Sequence, residues 1–177
     1  MAHDEKPARE FLPLDIAVLT ISDTRTEADD KSGHLLSARL TAAGHRLAAR
    51  KIEKDDIYRI RAAVSAWIAD PAVHAIITTG GTGLTGRDGT PEAIAPLLDK
   101  EILGFGELFR AVSLGEIGTS TLQSRCLGGV ANGTFIFCLP GSTSACATGW
   151  DRILAHQLDH RTRPCNFVEL IPRLTEK

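Results

Sequence analysis

The segment Leu14-Asp-Ile-Ala-Val-Leu-Thr-Ile21 is apolar at nearly every position, so it has almost no polar face to turn toward water. Such a run reads as a strand buried on both sides, the habit of parallel sheets covered by helices above and below. The rest of the chain keeps to that plan. Leu35, Leu36 and Leu40 fall at helical spacing within 31–43, and Gly44 is a plausible stop. A second strand is expected over 45–52, then a helix face of Ile57, Ile60, Val64, Trp67 and Ile68 that ends at Asp70-Pro71. Val73 to Thr79 is a third short apolar strand running into Gly80-Gly81-Thr82-Gly83. Alternating strands and helices predict a parallel α/β sheet. Thr90-Pro91-Glu92 reads as a helix start with Thr90 as its N-cap, and a further helix spans 104–116. Asn132-Gly133, between 126–131 and 134–139, is a hairpin signal. The closing helix carries Trp150, Ile153, Leu154 and Leu158. The expected fold is therefore an α/β three-layer sandwich, with a mostly parallel central sheet and a C-terminal hairpin strand pair.

At 177 residues the chain fits one domain on the prior of roughly 150 residues each, expected over 13–170. A flexible N-terminal tail is expected over 1–12 and a C-terminal tail over 171–177. The 20 Lys and Arg against 22 Asp and Glu leave a net charge of −2, not the basic field of a nucleic-acid binder. No apolar run approaches the ~18 residues of a membrane span, and the charged first ten residues have no apolar signal core. Cys126, Cys138, Cys146 and Cys165 have neither C-x-x-C nor zinc-like spacing. They read as buried thiols in a reducing cytoplasm, without an activating neighbour for nucleophilic catalysis.

In open α/β sheets, ligands bind beyond the carboxyl ends of the strands. Here those exits are Ser22-Asp23-Thr24, Lys54-Asp55-Asp56, Thr78-Thr79-Gly80-Gly81-Thr82-Gly83 and Pro140-Gly141-Ser142, all small, polar or acidic. The glycine turn offers backbone N–H groups and hydroxyls with little bulk, suited to close approach by a phosphate or a pterin-like ring; a tight strand-to-helix crossing is the structural alternative. Gly81-Thr-Gly83-Leu-Thr-Gly86 matches G-x-G-x-x-G in letters, but the helix begins near Thr90, after the glycines. Arg87-Asp88 stands where a P-loop needs Lys-Ser/Thr. The carboxylate of that pair suits a magnesium ligand and the guanidinium suits phosphate oxygens; a solvated Arg–Asp pair is the bland alternative. Of Asp55 and Asp56, one reads as a second metal ligand and the other as a helix cap. A helix N-terminus gives an anion only about 0.3–1 kcal/mol, against several kcal/mol to desolvate a triphosphate. A near-neutral protein handling such a substrate would therefore need a divalent ion. His156 and His160 are four apart, but Gln157 is not the Glu of a zinc protease.

Leu19-Thr-Ile-Ser-Asp23, Thr78-Thr-Gly-Gly-Thr-Gly83, Arg87-Asp-Gly-Thr-Pro-Glu92, Gly104-Phe-Gly-Glu-Leu-Phe-Arg110 and Leu139-Pro-Gly-Ser142 occur in the order of the molybdopterin-binding, molybdenum cofactor biosynthesis domain family. This resemblance covers about 14–168. The stretches 141–146 and 157–167 resemble the family's B branch. The resemblance implies adenylylation of molybdopterin by Mg·ATP with release of pyrophosphate. It carries catalysis and Mg²⁺ onto Asp55 and Asp88. It carries substrate binding onto Ser22, Asp23, Thr78, Thr79, Gly80, Gly81, Thr82, Gly83, Arg87, Glu92, Ser124, Gly141 and Ser142. It further implies a homotrimer or homohexamer, with the Phe105–Val112 stripe in core or subunit interface, and contact with other molybdenum cofactor biosynthesis proteins. A non-catalytic molybdopterin-binding or scaffold protein of the same fold is the competing class, and a nicotinamide enzyme a weaker rival.

Overall fold

Three central strands each divide their side chains between two cores. In the computed structural model, which describes residues 8–176, these are β1 (Asp15–Ile21), β3 (Ala75–Thr79) and β6 (Thr134–Leu139). Ile16, Val18, Ala75, Ile77, Phe135 and Phe137 face one core, while Ala17, Leu19, Ile76, Ile136 and Cys138 face the other. A period of two with apolar residues on both sides is what made the sequence read as unbroken hydrophobic runs. The first core is closed by α1 (Lys31–Ala42), α4 (Leu103–Ile117) and α5 (Thr143–Gly149); the second by α2 (Ile57–Ile68) and α3 (Thr90–Ile94). Each fully buried Leu, Ile or Phe contributes about 1.5–3 kcal/mol, so a sheet with both faces apolar is held between two helical layers.

The six-stranded sheet has the order β2-β1-β3-β6-β5-β4, with β2 (Arg46–Glu53), β4 (Lys100–Glu101) and β5 (Leu127–Ala131) completing it. β2-β1, β1-β3 and β3-β6 are parallel; β6-β5 and β5-β4 are antiparallel. The β5–β6 hairpin turns on Asn132 (φ 47°) and Gly133 (φ 82°), two positive φ values in succession, as a tight hairpin turn requires. The edges are blunted by charge: Arg46 on β2 pairs with Asp15 at 2.5 Å, and β4 is only Lys100-Glu101. Among the described residues, no helix is long and apolar enough to cross a membrane.

Two expectations need correction, the cap of α3 and the burial of Cys165. Thr90 does not cap α3: Gly89 occupies that position with no side-chain cap, and Thr90 Oγ1 donates to Gly80 O at 2.8 Å. Cys126, Cys138 and Cys146 are buried, but Cys165 is exposed. In the Phe105–Val112 stripe, Phe105 and Phe109 belong to the core while Leu108 is exposed. Of the expected N-terminal tail, 1–7 lies outside the described residues; beyond it, Arg9 donates to His160 O and pairs with Glu169, and Phe11 packs on His45. At the other end, Lys177 lies outside the described residues. Ahead of it a 3₁₀ helix, Val168–Arg173, seats Ile171 and, with the next residue, Leu174 against the first core. Both segments have apolar anchors that hold them to the body.

Candidate functional site

The strand order sets the place. From β1 the chain crosses to β2 on one side and then to β3 on the other, which opens a crevice at the carboxyl ends of β1 and β3. Two glycines let the crevice form. Gly80 has φ +106°, and a Cβ there would lie 2.2 Å from Ile21 O, so the β3 exit presses on the end of β1. Gly81, at φ +63°, would put a Cβ 2.3 Å from Thr90 Oγ1 and 3.0 Å from Asp55 Oδ2. The buried Thr90 hydroxyl on Gly80 O then locks the turn from below.

The resulting open groove has a volume of about 600 Å³. Ser22 and Asp23 line it from the β1 exit, Asp55 from β2, and Gly80, Gly81, Thr82 and Gly83 from β3. Asp88 and Ser124 form the far wall, and Gly141 and Ser142 come from the β6 exit. Four predicted residues do not line it. Thr78 and Thr79 are buried in β3, and the Thr79 hydroxyl donates to Pro140 O at 2.9 Å. Arg87 lies outside, donating to Asp23 Oδ2 from Nε at 3.0 Å and from Nη2 at 2.5 Å. Glu92 pairs with Arg125.

Three carboxylates thus share the groove, in different electrostatic states. Arg87 holds the Asp23 carboxyl below its ordinary range. Asp88 is also lowered, first by the Thr85 hydroxyl at 2.6 Å and then by backbone donors including the Thr85 N–H at 2.8 Å. Asp55 goes the other way: burial pushes its pKa up, and the charges of Asp88 and Asp23 push it further, against one backbone donor, Gly89 N–H, at 3.3 Å. Its neighbour Asp56 caps α2, accepting from Tyr58 and Arg59 N–H at 3.0 and 2.9 Å, so the two residues divide into site and cap. Ser142 likewise caps α5 through Ala145 N–H at 3.1 Å.

Arg25 and Gln123 also line the groove and were not predicted as site residues. Arg25 Nη2 donates to Gly141 O at 2.8 Å and Nη1 to Ser32 Oγ at 2.9 Å, tying the β1 exit to the β6 exit. It stands in the polar Ser22–Arg25 turn, so the strand-exit argument reached its segment without singling it out. Gln123, at the end of the 3₁₀ turn Gly118–Gln123, belongs to no motif. The buried thiols add no nucleophile, since burial pushes Cys146 up to about 11 and Cys138 up to about 12.

Comparison with known proteins covers the segments that build the groove. A family model described as a probable molybdopterin binding domain matches residues 17–160. Molybdenum cofactor biosynthesis protein B of Escherichia coli (strain K12) is 58% identical over 158 residues, covering 89% of this chain and 93% of that protein. A crystal structure of a molybdenum cofactor biosynthesis protein B superposes with a TM-score of 0.82 at 44% identity, over 85% of this chain and 94% of the other. The tungsten cofactor synthesizing protein MoaB from Pyrococcus furiosus does so with a TM-score of 0.74 at 39% identity, over 81% and 92%. With the family model matching residues 17–160 and these relatives matching across most of its length, the chain belongs to the molybdopterin-binding domain family, in the group of molybdenum cofactor biosynthesis protein B.

Proposed function

We propose that this chain adenylylates molybdopterin with Mg·ATP. The terminal phosphate oxygen of molybdopterin attacks the α-phosphorus of ATP; a P–O bond forms there, the bond to the β-phosphate oxygen breaks, and pyrophosphate leaves. The observation that carries this reading is the meeting of a bare glycine turn with Asp55 and Asp88 in one groove at the β1/β3 crevice. Phosphoryl-type transfer asks a protein mainly to position groups and offset charge; this groove supplies the positioning, and its carboxylates would hold the cation that offsets the charge. Gly81–Gly83 admits the substrate close to the backbone, Ser22, Ser124 and Ser142 offer hydroxyls, and Arg25 brings a cation to the rim.

The donor set suits Mg²⁺. Among the described residues no three His, Cys, Asp or Glu come together to hold a metal ion, and Mg²⁺ characteristically takes one or two carboxylates, completing its shell with substrate phosphates and water. Asp55 and Asp88 would hold it, and a cation there would offset the burial of Asp55 and the added repulsion from Asp88 and Asp23 that together raise it. When bound, the ion neutralises phosphate charge. Asp23 keeps Arg87 on the β1 side of the groove.

Asp88→Asn tests the reading. Turnover to adenylyl-molybdopterin is expected to fall by about 10²–10³, the usual cost of removing one transition-state electrostatic contact, with molybdopterin binding largely kept. Undiminished turnover in the variant would sink the mechanism. A parent protein that binds molybdopterin and forms no product would instead be a binding or scaffold protein.

A further inference from the structure

Arg125 lies between the 3₁₀ turn and β5, outside every motif read in the sequence, yet it holds the loop that carries Asp88. Nε donates to Gly83 O at 2.7 Å and Nη2 donates to Asp88 O at 2.9 Å. Its backbone N–H donates to Thr82 O at 3.3 Å. Nη1 pairs with the Glu92 carboxylate. The side-chain partners are 42, 37 and 33 residues away in sequence, so one planar fork joins segments that local folding does not connect.

Between the two held carbonyls the loop closes on itself. Asp88 N–H donates to Thr85 O at 3.0 Å, and Asp88 Oδ2 accepts from Thr85 N–H and Oγ1. That knot fixes the Asp88 carboxylate relative to its loop. Arg125 fixes the loop relative to the sheet. Gly83 fits the same packing: a Cβ there would stand 2.7 Å from Asp88 Oδ2.

We propose that Arg125 is a positioning residue that clamps the 82–88 loop so that Asp88 is presented to the groove, and that Glu92 orients Arg125 instead of meeting substrate. The effect on rate rests on the adenylyl-transfer reading; the clamp itself rests on geometry. Lysine cannot replace it, because an ammonium lacks the flat fork that reaches several fixed acceptors together. A misplacement of about 1 Å at a reacting group costs about 10²-fold in rate, so a loosened loop registers in kcat.

The test uses the full chain as Arg125→Ala, Arg125→Lys, Glu92→Ala and Glu92→Gln. Amide hydrogen exchange is read over 83–90, with β3 and β6 as internal controls. In Arg125→Ala the loop amides are expected to exchange at least about tenfold faster while β3 and β6 keep their protection. Turnover is expected to fall by about 10²-fold in kcat with the KM for molybdopterin little moved, and added guanidinium ion to restore part of it. Arg125→Lys recovers little, and Glu92→Gln, which still accepts a hydrogen bond, loses less than Glu92→Ala. Should the alanine variant lose protection in β3 as well, Arg125→Lys is read in its place. Unchanged loop exchange overturns the clamp. A loosened loop with undiminished kcat, or a loss confined to KM, overturns the role in placing Asp88. A parent protein that forms no adenylyl-molybdopterin overturns the adenylyl-transfer reaction, and the exchange comparison then decides the clamp alone.

Discussion

Asp55 and Asp88 line one groove, yet their surroundings push their protons in opposite directions. Asp55 is raised above 3.8 by burial and by its acidic neighbours; Asp88 is lowered by Thr85. With the folded pKa of Asp55 above the unfolded one, the folded state binds more protons between the two. Stability from this group is full below 3.8 and is lost as pH rises through the folded value. Asp55→Asn is therefore expected to raise Tm at pH 7. The gain should shrink as pH falls toward 3.8. Thermal melts across that range check it, and a lower Tm at pH 7 would mean that the ionised carboxylate holds the fold together. The sequence was legible where chemistry sits next to structure in the chain: of Lys54-Asp55-Asp56, Asp55 lines the groove and Asp56 caps α2. It was not legible for Arg25 and Arg125. Their partners lie far away in sequence, at Gly141 O for the one and at Gly83 O and Asp88 O for the other, and a guanidinium's reach leaves no local pattern.

The elements that build the groove are those whose hydrophobic pattern leaves no other choice. β1, β3 and β6 were readable because both their faces are buried, and the turn of the β5–β6 hairpin because Asn132-Gly133 tolerates positive φ. β4 was missed: two charged residues give no strand period. The closing helix was read from the spacing of its apolar residues, and it passes through a π-helical turn at Trp150–Leu154, where Trp150, Ile153 and Leu154 all reach the first core. Helical spacing alone does not distinguish that turn from an α-helical one. The β3 exit is where element and site meet, and Gly80→Ala probes it. A residue forced into a disfavoured φ costs about 1–3 kcal/mol, and here the new Cβ also meets Ile21 O at 2.2 Å. Urea unfolding is expected to show a loss at or above the upper end of that range, together with lost molybdopterin binding. A near-neutral substitution would mean that the β1 and β3 exits do not need their close approach.

Across the whole molecule, the acidic groove and an exposed apolar surface meet at the 3₁₀ turn Gly118–Gln123, where Gln123 lines the groove and Leu122 is exposed. Of the large apolar side chains exposed among the described residues, half fall between 103 and 122: Leu103, Leu108, Leu114, Ile117 and Leu122. We expect copies of this chain to meet there, since a contiguous exposed apolar patch is characteristic of a protein–protein surface. Light scattering of the 19.0 kDa chain should give the mass of a trimer or hexamer, and Leu114→Lys with Ile117→Glu should reduce it. A monomeric parent would reject this surface as an interface. Adenylyl transfer is tested by incubating the purified protein with molybdopterin, ATP and Mg²⁺ and detecting adenylyl-molybdopterin. Product that forms and disappears when Mg²⁺ is omitted is the predicted result; bound molybdopterin with no product in the presence of Mg²⁺ would contradict it.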